Sequence, residues 1–209
     1  MMISLNKVTV TGCPVDEYER VYKQASDYMA TQPGHISQLF LRSENHPGVY
    51  FAVALWESVD HYTALASVDE LVAIFDQVIS LNDPNAADGD KITVEHHKPS
   101  VVYAENTLPD HPTGSMVCVN RITVTDISTD EYERVYREGS DHMARQPGHI
   151  RHKLVVSATE PNVYFSIAEW TDIEAYRALD GLDELTAIFA QVNDKIEIEN
   201  HECVVKGDK

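Results

Sequence analysis

Asp16-Glu17-Tyr18-Glu19-Arg20-Val21-Tyr22 recurs unchanged as Asp130-Glu131-Tyr132-Glu133-Arg134-Val135-Tyr136. The shift from Asp16 to Asp130 is 114 positions, and it holds on both sides of the heptad. Upstream, Asn6-Lys7-Val8-Thr9-Val10-Thr11 meets Asn120-Arg121-Ile122-Thr123-Val124-Thr125. Downstream, Gln32-Pro33-Gly34-His35-Ile36 meets Gln146-Pro147-Gly148-His149-Ile150. Trp56, Tyr62 and Ala73-Ile74-Phe75 meet Trp170, Tyr176 and Ala187-Ile188-Phe189. The correspondence runs without a gap over 6–78. Such a period is far longer than the roughly 20–50 residues of solenoid repeats, so a whole domain is duplicated. The first copy then carries an insertion, 81–90, rich in Asn, Asp, Pro, Ala and Gly. Beyond it Lys91-Ile92-Thr93-Val94-Glu95 realigns with Lys195-Ile196-Glu197-Ile198-Glu199. We place a first domain at 1–100, a linker at 101–115 punctuated by Pro109, Pro112 and Gly114, and a second domain at 116–209.

Each copy reads alike. Alternating Val and Thr at 4–11 predict a strand. Pro14-Val15-Asp16-Glu17 opens a helix with acids in its first turn. Tyr18, Val21, Tyr22, Ala25 and Met29 then recur at helical spacing. Gln32-Pro33-Gly34 stops that helix, because Pro disfavours helix before it and Gly tolerates positive φ. Strands follow at 35–43 and 49–56, joined by Asn45-His46-Pro47-Gly48. Ser58 and Asp69 open two short helices, and a last strand covers 91–97. The order β-α-β-β-α-β is the ferredoxin-like split unit. The predicted class is α+β, two tandem ferredoxin-like repeats. A sheet with helices on one face needs cover on the other. The second copy can supply it, giving an intramolecular dimeric α+β barrel, a pseudo-dimer within one chain with a pocket in each half. Further homodimer formation stays open.

The net charge of −18 argues against nucleic acid or an anionic membrane as partner. Three cysteines without CxxC spacing fit a reducing cytoplasm better than a disulfide framework. No apolar run approaches the roughly 20 residues of a membrane helix, and the start lacks the pattern of a signal peptide. These features predict a cytoplasmic protein. The sequence shows no metal-site spacing, Gly-rich phosphate loop or Gly-x-Ser-x-Gly elbow. We therefore expect neither metal nor cofactor.

The order of strand, helix, Pro-Gly turn and two strands ending in Leu55-Trp56-Glu57-Ser58, before a helix with an aromatic, resembles the antibiotic biosynthesis monooxygenase family. That family comprises dimeric α+β barrels. One branch oxidises polyketide anthrones to quinones without a cofactor, and another binds and degrades haem. Asn6 and Asn120 resemble the pocket Asn of the haem branch, and Trp56 and Trp170 its pocket Trp. Its iron-ligand His falls on Phe75 and Phe189, and a phenyl ring cannot ligate iron. Trp56…Tyr62 and Trp170…Tyr176 reproduce the W-x5-Y pair with which the cofactor-free branch positions substrate oxygens. That branch's Asn four residues before the Trp is Ala52 or Ser166 here, and its pocket Arg has no match.

An oxygenase without metal or flavin must first make its substrate electron-rich by deprotonating it. Histidine is the default base for that step. His35 and His149, shared by the repeat, are the candidates. Simple alternation groups His35 with Ser37 and Leu39, and His149 with Arg151 and Lys153, which suit an acidic substrate. The alternative is a histidine that merely starts a strand. His96 has no histidine counterpart, whereas His97 meets His201. The leading expectation is a monooxygenase acting on a small aromatic (phenol, quinol or anthrone) with O2. In it Asn6, Trp56, Tyr62, Asn120, Trp170 and Tyr176 hold the substrate. The competing readings are a haem-binding or haem-degrading protein with an atypical ligand, and a non-catalytic small-molecule binding protein.

Overall fold

A computed structural model describes residues 2–79, 92–105 and 113–208. The insertion at 81–90 lies outside them. The chain forms two compact units: Met1–Lys98 with Val205–Lys209, and Pro99–Val204.

The first unit runs β1 (Met2–Val10), α1 (Val15–Met29), β2 (His35–Ser43), β3 (Val49–Trp56), α2 (Val59–Ala64), a 3-10 turn (Leu65–Ser67), α3 (Asp69–Ile79) and β4 (Ile92–His97). Its antiparallel strands lie in the order β4-β1-β3-β2. The face of α1 predicted from periodicity is the one buried: Tyr18, Val21, Tyr22 and Ala25 are all in the core. They meet β2 and β3 through an aromatic stack, with Tyr22 on Phe40 at 3.7 Å and Phe40 on Tyr50 at 5.3 Å between centroids. The opposite sheet face, carrying Leu5, Leu41 and Phe51, is buried as well.

The second unit repeats this order as β6 (Met116–Val124), α4 (Thr129–Met143), β7 (His149–Ser157), β8 (Val163–Trp170), α5 (Ile173–Arg177), a 3-10 turn (Ala178–Gly181), α6 (Asp183–Phe189) and β9 (Ile196–Asp208). One strand precedes them, β5 (Pro99–Glu105), which pairs antiparallel with β7. The start of the expected linker is thus sheet, and 106–112 lie outside the described residues. The predicted class, α+β with two tandem βαββαβ units, is the observed one.

Two local features set the site. Gly34 and Gly148 have φ of 78° and 84°. A Cβ at Gly34 would run into the His61 ring, and one at Gly148 into the Ala175 methyl. The glycines therefore let α2 and α5 sit directly on the turn. Next to them a β-bulge shifts the register between His35 and Ser37, and another between His149 and Arg151. A bulge inserts one residue and re-phases the strand. His35 therefore pairs with Trp56 and shares a face with Gln38 and Phe40, not with Ser37 and Leu39 as alternation predicts.

Candidate active site

In the first unit β1 and β3 supply the floor of a cavity of about 390 Å³. Asn6 stands opposite Ala52 on β3 and His96 on β4, which puts these three in one cross-strand row. Small Ala52 and Ala54 leave the space open, and Met29, Leu65, Leu71 and Phe75 wall it with apolar surface. Trp56, Tyr62, Gln38 and Ser4 also line it, as do His96 and Lys98. Trp56 is fully buried, and its indole Nε1–H has no hydrogen-bond acceptor among the described residues. The Tyr62 ring tilts against it at 6.2 Å between centroids. Burial raises the Tyr62 phenol pKa, and a hydrogen bond with Asn6 works against that rise. Asn6 Oδ1 also lies 2.9 Å from His96 Nδ1.

The second unit has a matching cavity of about 400 Å³ with a different polar end. Asn200 occupies the position equivalent to His96 and pairs with Asn120 across β6 and β9. Its Nδ2 donates to Asn120 Oδ1 and to the Tyr176 hydroxyl, both at 2.6 Å, and contacts Cys118 Sγ at 3.3 Å. Burial pushes the Cys118 thiol up to about 11. Ser166 stands where the first copy has Ala52, and its hydroxyl lies 2.9 Å from the Tyr136 hydroxyl.

The structure brings together Asn6, Trp56 and Tyr62 in one cavity, and Asn120 and Tyr176 in the other. Trp170 is fully buried but is not part of its cavity lining. His35 and His149 line neither cavity. Each packs edge-on against its tryptophan, at 5.0 Å for Trp56 and 5.1 Å for Trp170. The bulge turns them onto that ring. Burial lowers the His35 pKa, and a hydrogen bond with Gln38 opposes the shift. His149 Nε2 sits 3.0 Å from His152 Nδ1. Burial, then the neighbouring His149, lowers His152 to about 4. Arg151 and Lys153 are not in the lining of the second unit's cavity. Arg151 is ion-paired with Glu169 in the protein interior. Burial, then the nearby Arg151, lowers the Lys153 amine to about 8.

Sequence reasoning passed over His96 and Asn200 because the histidine is not doubled. The available signal was the pairing of the last strand with the first, which sets both residues beside the repeated Asn. Phe75 and Phe189, the positions of the haem branch's ligand, both line the cavities.

Residues 1–77 and 115–191 each match the family model described as antibiotic biosynthesis monooxygenase. The chain belongs to that family. Within it, 59 residues are 42% identical to deoxynogalonate monooxygenase of Streptomyces nogalater, covering 28% of this chain and 49% of that protein. The chain thus spans about half the length of this curated relative. Among solved structures, an anthrone oxidase-like protein superposes with a TM-score of 0.73 at 14% identity, over 100% of this chain and 92% of the other. A monooxygenase-like protein of Listeria innocua gives 0.52 at 13% identity, over 96% and 94%. At these identities the likeness is one of fold. Among the described residues no helix is long and apolar enough to cross a membrane.

Proposed function

We propose that the chain is a cofactor-independent monooxygenase that oxidises a small aromatic phenol, quinol or anthrone with O2. The observation that carries this reading is the first unit's cavity. It is an apolar slot whose hydrogen-bonding groups include Trp56 Nε1–H, Asn6 and Tyr62. A buried indole N–H without an acceptor forgoes a hydrogen bond worth about 0.5–1.5 kcal/mol net. A ligand carbonyl or phenol oxygen would supply the acceptor. A flat tricyclic ring system suits a space of about 390 Å³, since ligand pockets run from roughly 300 Å³ upward. Membership of a monooxygenase family and the similarity to deoxynogalonate monooxygenase support the same reaction class.

For an anthrone the balance is one methylene and one O2 going to one carbonyl and one water. Loss of a C–H proton leaves an electron-rich carbanion. It passes one electron to O2, and the resulting radicals combine into a peroxide. Removal of the second C–H proton then forms the carbonyl as the O–O bond breaks and water leaves. The apolar walls keep water from quenching the carbanion. The test is oxygen uptake with dithranol in metal-free, flavin-free buffer. Uptake matched by quinone formation is expected, and no uptake above the blank contradicts the proposal.

A further inference from the structure

The two copies differ most at the end of the cavity where a proton would be taken. In the first unit Asn6 Oδ1 only accepts hydrogen bonds, so His96 Nδ1, at 2.9 Å, carries the proton. The lone pair of that tautomer is on Nε2. His96 lines the cavity yet is exposed, so a proton that it takes up passes readily to solvent. Of the described residues that line this cavity, His96 alone carries an imidazole. Lys98, two residues on and also in the lining, places a cation where an anion would form.

The second unit reverses each point. Asn200 replaces His96 and cannot accept a proton, and its amide is tied to Asn120 and Tyr176. The residue equivalent to Lys98 is Glu202, which pairs with Arg177 at 2.6 Å. Its lining offers tyrosines and the exposed Asp180 but no imidazole.

We propose that His96 is the general base of the reaction and that the first unit's cavity is the one that turns over substrate. The assignment rests on the monooxygenase reading. The C–H or phenolic O–H proton of the substrate goes to His96 Nε2, and the electron pair stays on the ring system as an anion facing Lys98. The imidazolium returns a proton to the peroxide oxygen. His96 takes the second C–H proton and gives it to the departing hydroxide, so the imidazole ends neutral.

The experiment compares the full chain with His96→Ala and His96→Asn, the latter carrying the residue that the second copy has at this position. Dithranol is added without oxygen, and the absorption of its bound anion is recorded. Oxygen is then admitted and turnover measured, with and without added imidazole. The wild type is expected to form the anion and the variants not to. Turnover should fall by roughly 100-fold or more while KM changes little, since general bases contribute about 10²–10⁴. Imidazole should restore part of the rate to His96→Ala, because the position is exposed. Melting temperatures report that both variants fold. A His96→Ala protein that keeps the anion band, or whose loss imidazole leaves untouched, overturns the assignment. An anion formed by the wild type but not by the variants, without oxygen uptake, supports His96 as the proton acceptor and contradicts the oxygenase reading.

Discussion

At the scale of single residues, one buried donor separates the two tryptophans. Trp56 and Trp170 are equally buried, and neither Nε1–H has an acceptor among the described residues, but Trp56 lines the first unit's cavity while Trp170 is not in the lining of the second unit's. Trp56→Phe should weaken binding of dithranol or its quinone roughly 2–10-fold, the value of one hydrogen bond. Trp170→Phe should leave that affinity unchanged. Equilibrium titration of the two variants checks both statements, and equal losses would contradict them. A second residue-scale consequence concerns pH. His152 is held near 4 against an ordinary value of 6.5, first by burial, then by His149, with Asp141 opposing. The folded protein therefore binds fewer protons here than the unfolded chain between those values. The stability contribution is complete above about pH 6.5 and is lost as pH falls toward 4. His152→Gln, which installs the residue found at the equivalent Gln38, should flatten part of that decline. Denaturant midpoints at pH 7 and pH 5 read the difference, and parallel declines would contradict it.

At the scale of elements, the helices and most strands were legible because each carries its own period. Tyr18, Val21, Tyr22 and Ala25 mark one helix face in the sequence and in the core alike. The bulges were not legible. One extra residue at Ile36 re-phases β2 with no Gly or Pro inside the strand to announce it, and Ile36 comes out 38% exposed. That slip is why His35, grouped by alternation with Ser37 and Leu39, packs on Trp56 instead. β5 was missed for another reason: its pairing with β7 is set by tertiary structure, and most of it falls in the expected linker at 101–115. The Pro-Gly turns, by contrast, were read correctly, and they carry a prediction. Gly34→Ala and Gly148→Ala combine positive φ with a collision against α2 or α5. Each should cost about 1–3 kcal/mol of stability, measured by denaturant unfolding. Midpoints within error of the wild type would contradict the tight approach of helix to turn.

For the whole molecule, duplication explains why the fold is so readable and the chemistry less so. Both copies keep the residues that form the framework, including the Asn, Trp and Tyr of W-x5-Y. A search for doubled residues therefore finds the framework first. Chemistry needs only one competent cavity, so a base is free to be single: His96 stands beside Asn6 where Asn200 stands beside Asn120. The candidate site was thus half legible: Asn6, Trp56 and Tyr62 from the repeat, His96 only from the strand pairing, and Lys98 only from the cavity lining. The proposed reaction inserts one atom of O2 into an aromatic substrate with the chain's own side chains. Turnover of dithranol under heavy-isotope dioxygen, in metal-free and flavin-free buffer, tests it most directly. One labelled oxygen in each quinone and the other in water is expected. Quinone formed without label, or no quinone above the uncatalysed rate, would contradict it.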